Sequence, residues 1–502
     1  MNNITFVKGK GGLGRPLAGK DYISALLFYT NSLPSGFSTI ARIKQFFSIA
    51  DAENAGITSN YSDETQATGV YTVSNVGANG DSITLNFAEP NGNITLGSYV
   101  KVSTDTTVTQ VATAIVSAIN ALTYVHGYTA TNSAGAITIT CRKGLGVFPN
   151  SGTPFTATII GTIAGSVTTA FSGGVASKLA VYHYHIAEYF RIQSKGNLFV
   201  GMYAVPSTYT FTEIATMQTD SLVNGAIRQI GVYVDSVNFT ATQTTTLQTV
   251  ANGLDNLKMP LSIIYAGNIT SATTTASLTD LSTFTNNKVS VVIGQDNGCL
   301  GRQLWFATNK SITCLGATLG AVSLASVQED IAWVGKFNLS DGNELEIVGY
   351  CNGDNSQDAG LQTSTDLKRY IFLRKFPNLS GSFYNDSHTA ISVSSDYAYI
   401  ENNRTIDKAI RGVDTALLPS LNSPLLLNAD GTLANSTIAY LESQAVVITD
   451  DMVRNGEASA ISVSIDPTQN VASTSQVVVT INIVPVGVAR NIVVNIGFRT
   501  SL

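Results

Sequence analysis

Two overlapping glycine-rich patterns near the start of the chain are of the type that binds phosphate. Residues 9–14 (GKGGLG) satisfy GxGxxG, and residues 14–20 (GRPLAGK) satisfy GxxxxGK. A P-loop needs a Ser or Thr hydroxyl after its lysine to hold magnesium, but Asp21 follows Lys20 here. Both loops also need a helix N-terminus beneath them, whereas residues 22–29 have the pattern of a buried strand. We therefore interpret the segment as a flexible basic linker and expect no nucleotide or other cofactor.

Histidine and cysteine offer little metal or nucleophile chemistry in this chain. His183 and His185 are two residues apart on a predicted helix over residues 177–194, so their side chains point about 200° apart and cannot share one metal. His126 and His388 are isolated, and no HExxH motif occurs. A Ser-His-Asp triad stays open because triads assemble in space, but no GxSxG elbow occurs. We expect no metal site, no catalytic residue and no enzyme.

The four cysteines are far apart along the chain and include no CxxC pair, which is typical of inert core thiols. They are Cys141, Cys299, Cys314 and Cys351.

Composition narrows the class of protein. The 502 residues are enough for two to four domains. Charged residues make up only 12%, about half the usual share, and Thr, Ser, Asn, Gly and Val favour strands and turns. The net charge of −6 argues against nucleic-acid binding. No signal peptide and no apolar run long enough to span a membrane are visible, so we expect a protein made in a cytoplasm without membrane insertion.

Shifts in composition divide the chain into four parts. Residues 1–20 form a Gly-rich basic arm. Residues 21–65 and 175–380 form one discontinuous domain whose alternating strands and helices predict an α/β layer with several parallel strands. Residues 66–174, with three acidic and three basic side chains, predict an inserted β-rich α+β domain. Residues 381–502 form a C-terminal α+β domain. The predicted fold class is therefore a multidomain mixture of α/β and α+β parts with extended arms at both ends.

Several elements are predicted individually. In the insertion, a capped helix covers residues 107–122. In the surrounding domain, residues 40–47 and 51–56 are expected to be helical, a helix lies around residues 322–327, and a strand covers 344–348. Helices are also expected over residues 401–418 and within 437–458. Strands over 477–484 and 492–498 close the chain, and the alternation of the last one is unusual for a terminus, which frays unless it is paired.

Charge is divided between the two ends of the chain. Residues 1–20 carry four basic side chains and no acid, whereas residues 381–502 carry eleven acids and six bases. Opposite charge on a loose arm and on a C-terminal domain suits attraction between copies, although two ordinary solvated surfaces would also explain it.

These features together resemble the contractile tail sheath family. The likeness is best in the C-terminal part, where TIDKAIRGVDTALLP, NADGTLANS, AISVSIDPTQN and QVVVTINIVPVGVARNIVVNIGF follow one another. Three further segments are similar to one phage subfamily of these sheath proteins. They are GGLGRPLAGKDYISALLFY near the start of the chain, HYHIAEYFRI before residues 196–200, and VVIGQD at 291–296. The resemblance covers most of residues 1–60 and 175–502, and it depends on the order of elements more than on any sharp motif.

The resemblance implies a structural protein of a virion tail, assembled in the bacterial host cytoplasm. In that family, subunits stack as hexameric rings in a helical polymer around a tail tube and contract to drive the tube through the host cell envelope. Implied partners are other copies, the tail tube protein, and baseplate and tail terminator proteins, with no nucleic acid. The resemblance also implies that both termini add strands to neighbouring subunits, here through Ile4, Thr5, Phe6, Val7, Ile492, Val494, Ile496 and Phe498. Asp450, Asp451 and Glu457 are the expected tube-facing residues.

Other functions stay open. A tail tube or baseplate component is the nearest alternative, although tube proteins are shorter and essentially one β-domain. A surface-layer protein would suit the composition but needs a secretion signal. A glycan hydrolase needs paired carboxylates, and no local pattern proposes a pair.

Overall fold

The computed structural model describes residues 20–152 and 155–499. The chain enters the fold through a strand whose seven residues are all buried, and this agrees with the predicted strand after the glycine-rich arm. The first elements are β1 (Ile23–Tyr29), β2 (Ile43–Phe46) and α1 (Ile49–Asn54).

Residues 68–172 contain two sheets of their own and a separate apolar core. Thr65 and Val175 pair through two backbone hydrogen bonds of 3.1 and 2.9 Å, so the segment leaves and re-enters the rest of the chain at one place. The predicted helix cap is present, because Thr107 Oγ1 accepts a hydrogen bond from the Gln110 backbone N–H. The elements are β3 (Thr68–Asn75), β4 (Ser82–Glu89), β5 (Gly92–Val100), α2 (Val108–Ala121), α3 (Thr123–His126), β6 (Thr129–Ser133), β7 (Ala136–Thr140), β8 (Thr156–Ile160) and β9 (Ala164–Ser172).

The longest part of the chain alternates helices with strands. It consists of α4 (Lys178–Ile192), β10 (Asn197–Tyr203), α5 (Glu213–Thr219), β11 (Gln229–Asn238), α6 (Ala241–Asn256), β12 (Ser262–Asn268), β13 (Thr285–Asn286), β14 (Val289–Val292), β15 (Gly294–Asp296), α7 (Leu300–Thr308), α8 (Leu315–Leu324), β16 (Val348–Tyr350), α9 (Ala359–Leu367), β17 (Tyr370–Ile371), β18 (Leu373–Phe376), β19 (Leu379–Tyr384) and β20 (Ala390–Ile391). Short 3₁₀ helices cover Phe148–Ser151, Thr275–Ser277, Leu281–Thr283 and Leu418–Ser420.

A seven-stranded sheet lies at the centre of this part, in the order β17-β14-β12-β11-β1-β10-β2. Every neighbouring pair is parallel except β10 and β2, which run antiparallel at one edge. Both faces are buried: Leu26 and Phe28 of β1 pack into one apolar cluster, and Ala25 and Leu27 into the other. A mostly parallel sheet needs helices on both faces. The mixed α and β fold class predicted from the sequence is confirmed.

The last part of the described chain is two long helices and a two-stranded ribbon. Its elements are α10 (Ile400–Leu417), α11 (Asn435–Arg454), β21 (Ala460–Ile465), α12 (Val471–Thr474) and β22 (Val479–Val484). Its apolar cluster is small, with Leu433, Leu441 and Ile465 as the buried members. Most of the side chains that α10 buries are polar or charged, including Arg404, Asp407 and Lys408.

Three local predictions are corrected. Residues 43–46 form a strand and not a helix, because they complete the sheet edge by pairing with β10, with Phe46 opposite Leu198. The strand expected over 344–348 begins only at Val348, since the Asp341 carboxylate accepts two backbone N–H bonds and folds the preceding residues into a turn. The helix expected around residues 322–327 is α8, which begins at Leu315 and ends at Leu324.

Candidate assembly interface

The ribbon of β21 and β22 separates apolar from polar side chains. Their antiparallel register places Ile461 opposite Ile483 and Val463 opposite Ile481, all partly buried. Ser462 and Asn482 form an opposed pair on the other, exposed face. The apolar face lies against α11, where Glu442 Oε1 accepts a 2.8 Å hydrogen bond from the Ile465 backbone N–H.

This ribbon is small for an independent structure. An isolated pair of strands is only marginally stable in water, and a third strand usually adds the missing pairing. Within residues 20–152 and 155–499, neither outer edge of the ribbon is paired with a further strand. Both edges therefore present backbone N–H and C=O groups that another strand can use.

The alternating segment near the C-terminus forms no strand in the single chain. Residues 485–499 follow β22 without ladder hydrogen bonds, and residues 491–499 are exposed. Ile492 is 77% exposed, Val494 71%, Ile496 91% and Phe498 110%. The predicted strand over residues 492–498 is thus not realised within one subunit, where the segment belongs to no sheet. Its pairing with another chain stays a prediction.

One side chain of this segment docks on the body of the protein. Arg490 Nη2 lies 2.5 Å from Glu401 Oε1 and 3.0 Å from Asp330 Oδ2, and its Nε lies 3.0 Å from Asp386 Oδ2. The guanidinium also stacks on Tyr399, with Cζ 3.5 Å from the ring centroid. We call Asp330, Asp386, Tyr399 and Glu401 the arginine socket.

The carboxylates of the arginine socket are deeply buried. The side chains of Asp330, Asp386 and Glu401 are 6%, 13% and 2% exposed. Burial, together with the negative charges of Glu401 and Asp386, raises the pKa of Asp330 to about 8. Burial alone would lower the pKa of Arg490, but the surrounding carboxylates raise it overall. The raised pKa of Asp330 favours its protonated form near neutral pH, and the charged arginine compensates the remaining negative charge of the socket.

The start of the described chain meets α10 and the end of α11. Asp21 pairs with Lys408 Nζ at 2.9 Å and with Arg411 Nη2 at 2.8 Å, and Lys408 also lies 2.5 Å from Glu457 Oε1. The basic arm thus joins the body beside the C-terminal helices. Its proposed strand residues, Ile4, Thr5, Phe6 and Val7, lie outside the described residues.

The three residues expected to face a tail tube differ in their surroundings. Asp450 and Asp451 are exposed on α11, where Asp451 forms a surface ion pair with Arg454. The side chain of Glu457 is only 12% exposed and is held by Lys408, which leaves it little surface for contact with another chain. Their contact with a tube stays a prediction.

The phosphate-binding patterns lie in the part of the chain that precedes residue 20. Where the chain is described, Asp21 is engaged by two cations and the next element is the strand β1. A P-loop would require a helix there. The interpretation of these patterns as a flexible linker stays a prediction, because residues 1–19 lie outside the described residues.

The histidines and cysteines discussed above lie in ion pairs or in the apolar interior. His183 Nε2 lies 3.0 Å from Glu53 Oε1, and His388 Nε2 lies 2.9 Å from Asp366 Oδ1. His185 is fully buried between aromatic rings, and burial lowers its pKa to about 3. The cysteines are free, and all but Cys299 are buried.

One group of potential metal ligands was not predicted from the sequence. The ligand atoms of Asp296, Cys299 and Glu344 lie within 4.8 Å of one another. The Asp296 carboxylate accepts backbone N–H bonds from Gly298, Cys299 and Gly301 at the start of α7. Burial and then the charge of Asp296 raise the pKa of Glu344 to about 7. The backbone N–H bonds of Asp296 give this cluster the geometry of a helix cap, which does not by itself require an ion.

No helix in the described parts of the chain is long and apolar enough to cross a membrane.

Models of both domains of one protein family match the chain. The model described as DUF2586, N-terminal domain, matches residues 155–388, and the model described as DUF2586, C-terminal domain, matches residues 396–502. The likeness noted over residues 1–60 lies outside these matches. No curated protein sequence matches the chain.

Solved structures similar to this one include sheath proteins of contractile injection systems. The helical sheath of the anti-feeding prophage in its contracted state has 15% identity and a TM-score of 0.45, over 62% of this chain and 81% of that one. A sheath complex of an extracellular contractile injection system, PVC, in its contracted state has 14% identity and a TM-score of 0.43, over 64% and 80%. A sheath tail protein from Listeria innocua has 10% identity and a TM-score of 0.38, over 92% and 94%.

Proposed function

We propose that this chain, of which about two thirds match the two domain models of DUF2586, is the structural subunit of a contractile tail sheath. The observation that supports this best is that one subunit contains both a strand donor and a strand acceptor. The donor is the exposed, alternating segment of residues 492–498, and the acceptor is a free edge of the β21–β22 ribbon.

Donor and acceptor match in length and in pattern. Seven extended residues span roughly 23 Å, and each strand of the ribbon has six residues. When the donor pairs with an edge, Ile492, Val494, Ile496 and Phe498 lie on one face of the enlarged sheet. That face continues the half-buried apolar face formed by Ile461 and Val463. Pairing therefore satisfies free backbone groups and covers exposed apolar side chains in one step.

Repeated strand donation from one subunit to the next would build a polymer. When the donor of each subunit pairs with the acceptor of the next, the contact is head-to-tail and generates rings or helices, whereas reciprocal exchange between two copies would close a dimer. We propose stacked hexameric rings around a tail tube, with the basic arm adding a second strand through Ile4, Thr5, Phe6 and Val7. Asp450 and Asp451 are the carboxylates on α11 best exposed to contact the tube.

The function is mechanical and non-enzymatic. Strand pairing holds neighbours together while the bodies of the subunits rearrange, so that the sheath shortens without coming apart. The energy of contraction is the difference in contacts between an extended and a contracted lattice, and no nucleotide is consumed. The proposed virion partners are the tube, the baseplate and the tail terminator, and assembly takes place in the cytoplasm of the bacterial host.

Electron microscopy of the expressed full-length chain tests the proposal. Tubes with a six-start helical pattern are expected at high protein concentration. Deleting residues 491–502 should abolish tubes while the protein stays folded. A full-length sample that stays monomeric at every concentration, or a deletion variant that still forms tubes, would contradict the proposal. Discrete rings that never elongate would favour a baseplate component.

A matched pair of point variants tests which face of the donor is covered. Ile496→Lys places a charge on the face that becomes buried on pairing, whereas Asn495→Lys places the same charge on the opposite face. Ile496→Lys should prevent polymerisation, and Asn495→Lys should leave it nearly unchanged. Equal effects of the two variants would reject the alternating face.

A further inference from the structure

The C-terminal segment is attached to the body at two points with different chemistry. β22 ends at Val484, which pairs with Ala460 in the ribbon. Six residues later, Arg490 enters the arginine socket. Within the described stretch of residues 486–499, Arg490 provides the ion pairs and side-chain hydrogen bonds to the body. The donor residues begin immediately afterwards, at Ile492.

The arginine socket is assembled from parts of the chain that are distant in sequence. Asp330 follows α8, Asp386 follows β19, and Tyr399 and Glu401 lie at the start of α10. The socket thus joins the sheet domain to the first long helix of the C-terminal part. Its acids are held in place independently of Arg490: Asp330 Oδ1 accepts from the Ala332 backbone N–H at 2.8 Å, and Glu401 Oε2 accepts from Ser387 Oγ at 2.5 Å. A preformed socket selects one position for the arginine.

Arginine is the side chain that this socket fits best. Its planar guanidinium presents several N–H donors at once and stacks on an aromatic face, which a lysine ammonium cannot reproduce. Here Nε and Nη2 contact three carboxylates, while the plane covers Tyr399. Arg499 is the other arginine of the C-terminal segment, and it lies at the far end of the donor, where it is exposed.

We propose that Arg490 and the arginine socket form a fixed pivot that sets where, and in which direction, the donor strand leaves the subunit. This inference rests on the proposed strand donation. Without the pivot, only the flexible residues that follow Val484, including Pro485 and Gly487, would connect the donor to the ribbon. Fixing residue 490 shortens this connection and concentrates the donor near its acceptor on the next subunit. It also keeps the anchor in place when the bodies of neighbouring subunits rearrange.

The pivot is tested with variants that separate anchoring from folding. Arg490→Gln removes the anchor but leaves the negative charge of the buried socket without a cation, so it is also expected to lower stability. The double variant Arg490→Gln/Glu401→Gln also removes one acid, so less uncompensated negative charge stays buried in the arginine socket. Arg454→Gln, which breaks the exposed pair with Asp451 on α11, serves as the matched control.

Two readouts are measured for each variant. The first is hydrogen exchange of backbone amides 486–490 in the unpolymerised protein, which does not depend on assembly. The second is the critical concentration for polymerisation, with the melting temperature recorded alongside. The double variant should exchange these amides faster and raise the critical concentration about tenfold, while its melting temperature stays close to that of the wild type. Arg454→Gln should change neither readout.

The outcomes separate the pivot from the proposed function. If exchange at residues 486–490 is unchanged in the double variant, or its critical concentration equals that of the wild type, the pivot is rejected. If the chain lacking residues 491–502 still polymerises, strand donation itself is rejected, although its arginine socket is intact. If the wild type does not polymerise, the exchange measurement still decides whether Arg490 anchors the segment.

Discussion

Asp21 and Arg411 form an ion pair of 2.8 Å between residues that are 390 positions apart. Asp21 lies just after the basic arm, and Arg411 lies in α10 of the C-terminal part. Both side chains are largely buried, at 17% and 12% exposure, and Lys408 contacts the same carboxylate. The residue that follows the arm is therefore bound to α10 directly before the chain enters the central sheet.

Replacing Asp21 by Asn should destabilise the protein by about 3 kcal/mol, because it leaves Arg411 and Lys408 partly buried with less compensating charge. Chemical denaturation measures the free energy of unfolding. Asp451→Asn is the control, since its ion pair with Arg454 is exposed and should be worth less than about 1 kcal/mol. Equal effects of the two variants would show that Asp21 does not link the two parts of the chain.

The stability should depend on pH through His185. Its pKa is lowered to about 3 by burial, whereas a histidine in the unfolded chain has a pKa of about 6.5. The unfolded chain therefore binds a proton that the folded protein rejects. The stability associated with a neutral His185 is complete above pH 6.5 and declines as the pH falls towards 3. At pH 5 the loss should reach about 2 kcal/mol.

His185→Phe tests this dependence, because neither ring nitrogen of His185 has a hydrogen-bond partner and its neighbours are aromatic. Unfolding free energies at pH 7 and pH 5 should differ less in this variant than in the wild type. His183→Phe, at the partly exposed position paired with Glu53, should leave the pH dependence nearly intact. An unchanged dependence in His185→Phe would assign the effect to other groups.

Two helical glycines should respond in opposite ways to an added methyl group. A Cβ at Gly316 of α8 would lie 2.0 Å from the carbonyl oxygen of His185 in α4, so Gly316→Ala must force these helices apart. We expect a loss of about 3 kcal/mol. A Cβ at Gly253 of α6 meets open space, and Gly253→Ala should raise stability by about 0.5–1 kcal/mol through helix propensity. Thermal or chemical unfolding of both variants measures the difference, and a Gly316→Ala variant as stable as the wild type would contradict the close packing.

Removing residues 66–174 tests the predicted domain boundaries. Because Thr65 and Val175 are paired, a short Gly-Ser linker can close the gap. The shortened chain should fold cooperatively, as seen by circular dichroism, and the excised segment should fold alone around its own core. Some loss of stability is expected, since the Val147 N–H to Ala307 C=O bond and the contact of Phe148 with Phe306 join the two parts. An unfolded shortened chain would reject the boundaries.

Much of the local structure could be predicted from sequence patterns. The continuous apolar run of β1 and the capped amphipathic helix α2 have signals within a few neighbouring residues. The strand β2 was wrongly predicted as a helix, since four residues have little periodicity and only the free edge of β10 selects the extended form. The tight turn at Asp341 likewise shifted the strand expected before Val348.

The C-terminal segment shows the limit of sequence patterns. Alternation over residues 492–498 indicated a strand that needs a partner, and this periodicity is a property of the sequence itself. Arg490 had no such signal, because its three carboxylates come from residues 330, 386 and 401, which only folding brings together. The sequence by itself therefore determined elements such as β1 and α2, through short-range periodicity, and it predicts a terminal strand that needs a partner. Only the tertiary structure decided where that strand is anchored, because charge pairing across long sequence separations depends on how the sheet and helices pack.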